Sequence, residues 1–189
     1  MIKPLPMRNL INISAAALIL LGGFFVLARG ASAATEVGGV IASDEIWTVA
    51  NSPYVVKSDN PQIGISIESG ATLTIESGVV VKFELAVGAK ISTGGGKMVA
   101  NGAEGNPIIF TSILDDSVGG DTNGDGSATA PGINDWNLIW LGNASDEVTF
   151  SEIRYGTSCV LIGVADVVVR SNKFDNCQAA IEVRPGIAA

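Results

Sequence analysis

Residues 69–83 read SGATLTIESGVVVKF, and eighteen positions later residues 87–101 read VGAKISTGGGKMVAN. In this overlay Gly70 falls on Gly88, Ala71 on Ala89, Leu73 on Ile91, Gly78 on Gly96 and Val81 on Val99. Glycines coincide at corners, and apolar residues coincide at every second position. Alternation at period two marks strands with one buried face. A repeat near 20 residues marks a stacked array, since one such unit cannot bury its own apolar face. A second overlay lies downstream, where 148–163 (VTFSEIRYGTSCVLIG) matches 169–184 (VRSNKFDNCQAAIEVR) at a shift of 21. It places Ile153 on Phe174, Val160 on Ile181 and Ile162 on Val183. The pattern predicts an all-β solenoid.

Outward from these repeats, short β-branched runs separated by Gly, Asn, Pro or Ser predict strands. They fall at 47–49, 54–56, 63–67, 71–75, 79–83, 89–92, 98–100 and 108–111, then at 136–141, 148–153, 160–162, 167–169, 173–174 and 181–183. An acidic, Gly-rich insertion, 115–135, interrupts the series. Turns of 18–21 residues with about three strands each predict a right-handed parallel β-helix over 47–189. An antiparallel sandwich is the alternative, but it gives no reason for a constant shift.

The start of the chain reads differently. Lys3 and Arg8 precede an apolar run from Ile13 to Ala28, and Ala31-Ser32-Ala33 has the small-residue form of a cleavage site. Residues 1–33 are therefore expected to be a signal peptide, with an uncleaved membrane anchor as the alternative. Residues 34–46 are expected as a connector or N-terminal cap. The protein is expected to be secreted or at the cell surface, touching membrane only through an uncleaved N-terminal segment. Losing Lys3, Arg8 and Arg29 leaves eight basic residues against 19 acidic ones, a net charge of −11. That surface excludes nucleic acid, whose binding needs Lys and Arg on phosphates.

Asp121-Thr-Asn123-Gly-Asp125-Gly126 carries the clearest chemistry. Side-chain oxygens at positions 1, 3 and 5, with glycine at 6, form the first half of an EF-hand-type calcium loop. Ser127 stands at position 7, where a carbonyl would serve, but Gly132 stands at position 12 instead of a bidentate acid. Asp135, Asp115 or Asp116 would have to close the shell. The expected cofactor is a structural calcium ion; the alternative is a solvated loop whose Asp, Asn and Gly simply favour turns. The acidic neighbours Asp115–Asp116 and Asp146–Glu147 would diverge on a strand, and read as solvated loop acids rather than catalytic pairs.

ATLTIESGVVVKF, then GNPIIFTS, then DDSVGGDTNGDGSATAPGINDW, together resemble the right-handed, pectate-lyase-like parallel β-helix domains of exported and surface-attached bacterial proteins. The resemblance spans 63–184. It implies the fold firmly and the activity weakly, because that scaffold carries adhesins, passive surface repeats and polysaccharide lyases alike. Lyases of this kind hold calcium with acids on one wall beside an Arg or Lys base. Their motif has no residue-by-residue match here, so no catalytic residue is carried over.

The 21-residue register gives Arg154 and Lys173 another use. It stacks Glu152 on Lys173 and Arg154 on Asp175 as surface charge ladders. It also sets Cys159 and Cys177 three positions out of step, which favours two buried free thiols over a bond. Trp136 and Trp140, four apart, are expected on one strand face, either in the core or as a sugar-stacking strip with Tyr155. Asn143-Ala144-Ser145 fits a glycosylation sequon by spacing alone. The chain ends just after a strand, so further turns or domains are expected beyond Ala189. The functional expectation is a non-catalytic module for surface display, adhesion or glycan contact. The alternative is a polysaccharide lyase or glycoside hydrolase using the wall beside 115–135.

Overall fold

The computed structural model of the protein describes residues 33–58, 64–85 and 88–187. The signal-peptide expectation, up to its last residue, lies outside them. Among the described residues, seventeen strands make three parallel sheets. The first rung is β1 (Thr35–Val37), β2 (Gly39–Ile41) and β3 (Glu45–Trp47), so the stretch expected as a connector or cap already supplies strands to all three sheets. The second is β4 (Tyr54–Val56), β5 (Ile65–Ile67) and β6 (Thr72–Ile75); the third is β7 (Val80–Phe83), β8 (Lys90–Ser92) and β9 (Lys97–Asn101). The fourth is β10 (Ile108–Ser112), β11 (Trp136–Leu141) and β12 (Glu147–Thr149). The fifth is β13 (Ser151–Arg154), β14 (Gly156–Ile162) and β15 (Val168–Arg170), followed by β16 (Lys173–Asp175) and β17 (Ala179–Val183).

Sheet A stacks β1-β4-β7-β10-β13-β16, sheet B stacks β2-β5-β8-β11-β14-β17, and sheet C stacks β3-β6-β9-β12-β15. Every strand pair is parallel to the rung before it, the arrangement of a β-solenoid. Alternation turns every second side chain inward, and stacking aligns these into columns. One runs Tyr54, Val81, Phe110, Ile153, Phe174. A second runs Ile65, Ile91, Ile139, Val160, Ile181, and a third Trp47, Ile75, Ala100, Val148, Val169. Nearly all of these are fully buried, each large side chain contributing about 1.5–3 kcal/mol. In the last rung the column opens to solvent, with Ile181 44% and Val183 53% exposed.

The 21-residue register holds: Ile153 pairs with Phe174, Val160 with Ile181 and Ile162 with Val183. The 18-residue register does not. Leu73 stacks on Met98, a shift of 25, while Ile91 belongs to another sheet and stacks between Ile65 and Ile139. The overlay had matched strands of different sheets. Gly78 (φ +84) makes the corner from sheet C to sheet A, whereas Gly96 makes the corner from B to C. The predicted strand 148–153 breaks at Phe150 (φ +47), which turns the chain from sheet C into sheet A. Ser171 (φ +56) repeats that corner one rung later, and Tyr155 (φ +67) and Asn176 (φ +51) make the matching pair between sheets A and B.

Cys159 and Cys177 are bonded, with Cα atoms 5.9 Å apart, correcting the free-thiol expectation. Two local features close the gap. Leu138 pairs with Ser158 but Ile139 with Val160, so Cys159 is an extra, bulged residue and faces the core together with Val160. Cys177 sits at the corner after Asn176, where the chain swings back over Gly156.

Candidate metal centre

The insertion leaves sheet A after Ser112 and is tied to that sheet's outer face by side chains from three rungs. Thr111 Oγ1 donates to Asp115 Oδ2 at 2.6 Å, and Arg154 Nη1 approaches the same oxygen at 3.5 Å. Ser117 donates to Asp115 Oδ1 through its amide and its hydroxyl. Burial pushes the Asp115 carboxyl up, but the bonds from Ser117 and Thr111 and the Arg154 charge outweigh it and hold the group below the usual carboxylate range. Asp115 is thus engaged by Thr111, Ser117 and Arg154.

Gly119 (φ +67) then lies flat on the wall; a Cβ there would come within 3.2–3.3 Å of Pro53, Lys82 and Val80. Lys82, an outward position of β7, is fully covered by this segment and donates to the Gly120 carbonyl at 2.6 Å. Burial pulls its ammonium pKa down, against the opposing charges of Asp115, Asp116 and Asp121.

The loop beyond is built by its own carboxylates. Asp121 Oδ1 accepts from the amides of Gly124 (2.7 Å) and Asp125 (3.2 Å), and Oδ2 from Gly126 (2.8 Å). Asp125 accepts from the amides of Ser127, Ala128 and Thr129, from the Thr129 hydroxyl and from Asn123 Nδ2. Led by the Thr129 bond, these hold the Asp125 carboxyl below its ordinary value. Asp, Asn and Gly suit such a chain because they adopt left-handed turns cheaply and bond their own backbone.

The result is convergence. One carboxylate oxygen each from Asp116, Asp121 and Asp125 lies within 4.8 Å of the others. Asp116 Oδ1 and Asn123 Oδ1 are buried without a hydrogen-bond partner. Carboxylates this close repel one another, and orphaned buried oxygens are costly. A hard cation with six to eight oxygen ligands would relieve both, and an all-oxygen donor set suits calcium rather than a soft metal. Of the expected ligands, the structure brings Asp121 and Asp125 together with Asp116, and Asn123 hydrogen-bonds to Asp125. Ser127 contributes an amide to Asp125, and Asp135 caps the Gly132 amide at 2.9 Å near the return to β11.

The remaining expectations divide. Glu152 and Lys173 stack in register with an ion pair at 3.8 Å. Arg154 stacks on Asp175 but reaches for Glu152 and Asp115 instead. Asp146 is not a solvated acid: it is wholly buried at the sheet B to C corner. There it accepts from Thr93 Oγ1 and from the amides of Met98 and Asn143, joining two rungs. Trp136 drops into the core and stacks on Phe83 with ring centroids 4.2 Å apart. Trp140 lies on the outer face of sheet B under Arg184, so the two indoles share no platform.

The chain matches no family model, no curated protein and no solved structure.

Proposed function

We propose that the protein is an exported, non-catalytic module of the right-handed, pectate-lyase-like β-helix kind, whose 115–135 insertion binds a structural calcium ion. The observation that carries this is the convergence of Asp116, Asp121 and Asp125 beside the buried, unpartnered oxygens of Asp116 and Asn123. The stacked rungs offer flat outer walls suited to display, adhesion or glycan contact at a cell surface. Calcium would keep the insertion closed on one of those walls. The alternative, a lyase or glycoside hydrolase on the same wall, needs a free base beside the cation. Among the described residues, the cations seen contacting the insertion are already engaged, Lys82 with Gly120 and Arg154 with Glu152 and Asp115.

Calorimetry tests the reading. Calcium should bind with a heat that Asp125→Ala removes, and should raise thermal stability through linkage. Absence of binding at millimolar calcium would overturn it. A glycan panel, run beside an assay for unsaturated sugar ends, separates the contact role from the lyase. Ultraviolet-absorbing products lost in Arg154→Ala would replace this proposal with the enzyme.

A further inference from the structure

A fully buried lysine under a metal-binding loop invites an account of its charge. Three carboxylates of the insertion, Asp115, Asp116 and Asp121, act on Lys82, and Asp115 among them is also paired with Arg154. The other two converge with Asp125, so that one carboxylate oxygen from each of three acids lies within 4.8 Å of the others. Lys82 lies under the start of the loop, 0% exposed, its Nζ 2.6 Å from the carbonyl of Gly120, the residue before Asp121. Three carboxylates and one ammonium leave a charge of −2, the complement of one divalent ion. Without Lys82 the same ligands would carry −3.

We infer that Lys82 is a specificity-determining residue that holds the site to divalent cations, resting on the cation-binding reading above. Its mechanism is Coulombic. A fixed positive charge in a shielded position repels a trivalent ion by one charge unit more than a divalent one. Between groups several ångströms apart at the effective dielectric of a protein surface, one unit changes relative affinity by at least about tenfold. The lysine stem has a second task, holding Gly120 and so the start of the loop against sheet A, which the test must separate from charge.

The experiment titrates the full chain with calcium chloride alone and with terbium chloride alone, an ion of similar coordination and one more charge. Lys82→Gln keeps a donor for Gly120 without the charge, Lys82→Met loses both, and Lys82→Arg keeps the charge. The ratio of terbium to calcium affinity should rise at least about tenfold in Lys82→Gln and Lys82→Met and stay within about twofold in Lys82→Arg. Asp116→Asn, on the loop and outside the stacked rungs, should move the ratio the other way and stands independently of whether the Lys82 variants fold. Wild-type binding of both ions with an unmoved ratio in Lys82→Gln and Asp116→Asn would overturn the inference alone. So would Lys82→Arg shifting the ratio as far as Lys82→Gln. Binding of neither ion by the wild type would overturn the cation reading together with it.

Discussion

Arg154 and Asp115 are 39 residues apart in the chain, yet their side chains meet, Nη1 to Oδ2, at 3.5 Å. The contact crosses from β13 to the first residues of the insertion and closes a charge that is otherwise buried. Breaking one partner of such a pair costs more than forming it gains, because the remaining charge is left desolvated.

The pH dependence follows from Asp115. Its carboxyl is held below its ordinary value, so it stabilises the fold above the unfolded-state value near 4 and loses that contribution as pH falls through the depressed folded value. Asp115→Asn should lower stability at pH 7 by about 1–3 kcal/mol, and the gap to wild type should narrow below about pH 4. Asp146 carries the opposite sign. Burial lifts its carboxyl above the ordinary value despite Thr93 and two amides, so its protonation favours the folded chain as pH falls. Urea unfolding at several pH values, wild type against Asp115→Asn, checks the narrowing; a gap constant down to pH 2.5 would contradict it.

The register makes a sharper forecast. Ile153 is fully buried between Phe110 and Phe174, and Glu152 beside it faces outward to Lys173 and Arg154. Ile153→Asp should cost several kcal/mol by burying an unpaired charge. Glu152→Gln should cost less than about 1 kcal/mol, since its partners stay partly solvated. Similar losses for the two would mean that the alternation along β13 is wrong.

Why the downstream register was legible and the upstream one was not comes down to what fills the corners. From 148 to 184 the corners repeat with equal length, Phe150 and Ser171 turning one edge and Tyr155 and Asn176 another, each pair 21 residues apart, so sequence spacing equals stacking spacing. Upstream, loops of unequal length separate the strands: Tyr54 to Val81 spans 27 residues and Val81 to Phe110 spans 29. Strands from different sheets then share one alternating pattern and a nearby glycine, and overlay as readily as true neighbours. Part of the acidic cluster was legible because Asp121 and Asp125 are local. Asp116 was legible only as an option and Lys82 not at all. An outward lysine on a strand looks solvated until a distant insertion is folded over it.

The disulfide separates two accounts of the last rungs. The bond closes a span of 18 residues between β14 and the corner before β17. Chain-entropy reasoning gives it about 3 kcal/mol, or about 10 °C of melting temperature for a domain of this size. Reductant should lower the melting temperature of the wild type by that amount and leave Cys159→Ser unaffected. Two titratable thiols in the unreduced, denatured protein would show that the bond does not form.

Glycine substitutions test the corners. At Gly96 the backbone angle is ordinary, but an added Cβ would lie 2.4 Å from both the Glu68 carbonyl oxygen and Ile67 Cγ2, and 2.7 Å from the Ala71 oxygen. The carbonyl oxygens belong to the rung below, where Gly96 N–H also donates to Ile67 O at 2.9 Å, so neither can retreat without opening the sheet B to C corner. Gly105 presents the reverse case: open space around it, and a left-handed φ of +78. Gly105→Ala should cost only the left-handed penalty, about 1 kcal/mol. Gly96→Ala adds steric overlap with backbone in a packed stack and should cost about 3 kcal/mol or more. Unfolding midpoints in urea rank the two directly. Equal midpoints, or a more damaging Gly105→Ala, would mean that the B-to-C corner is not packed as described.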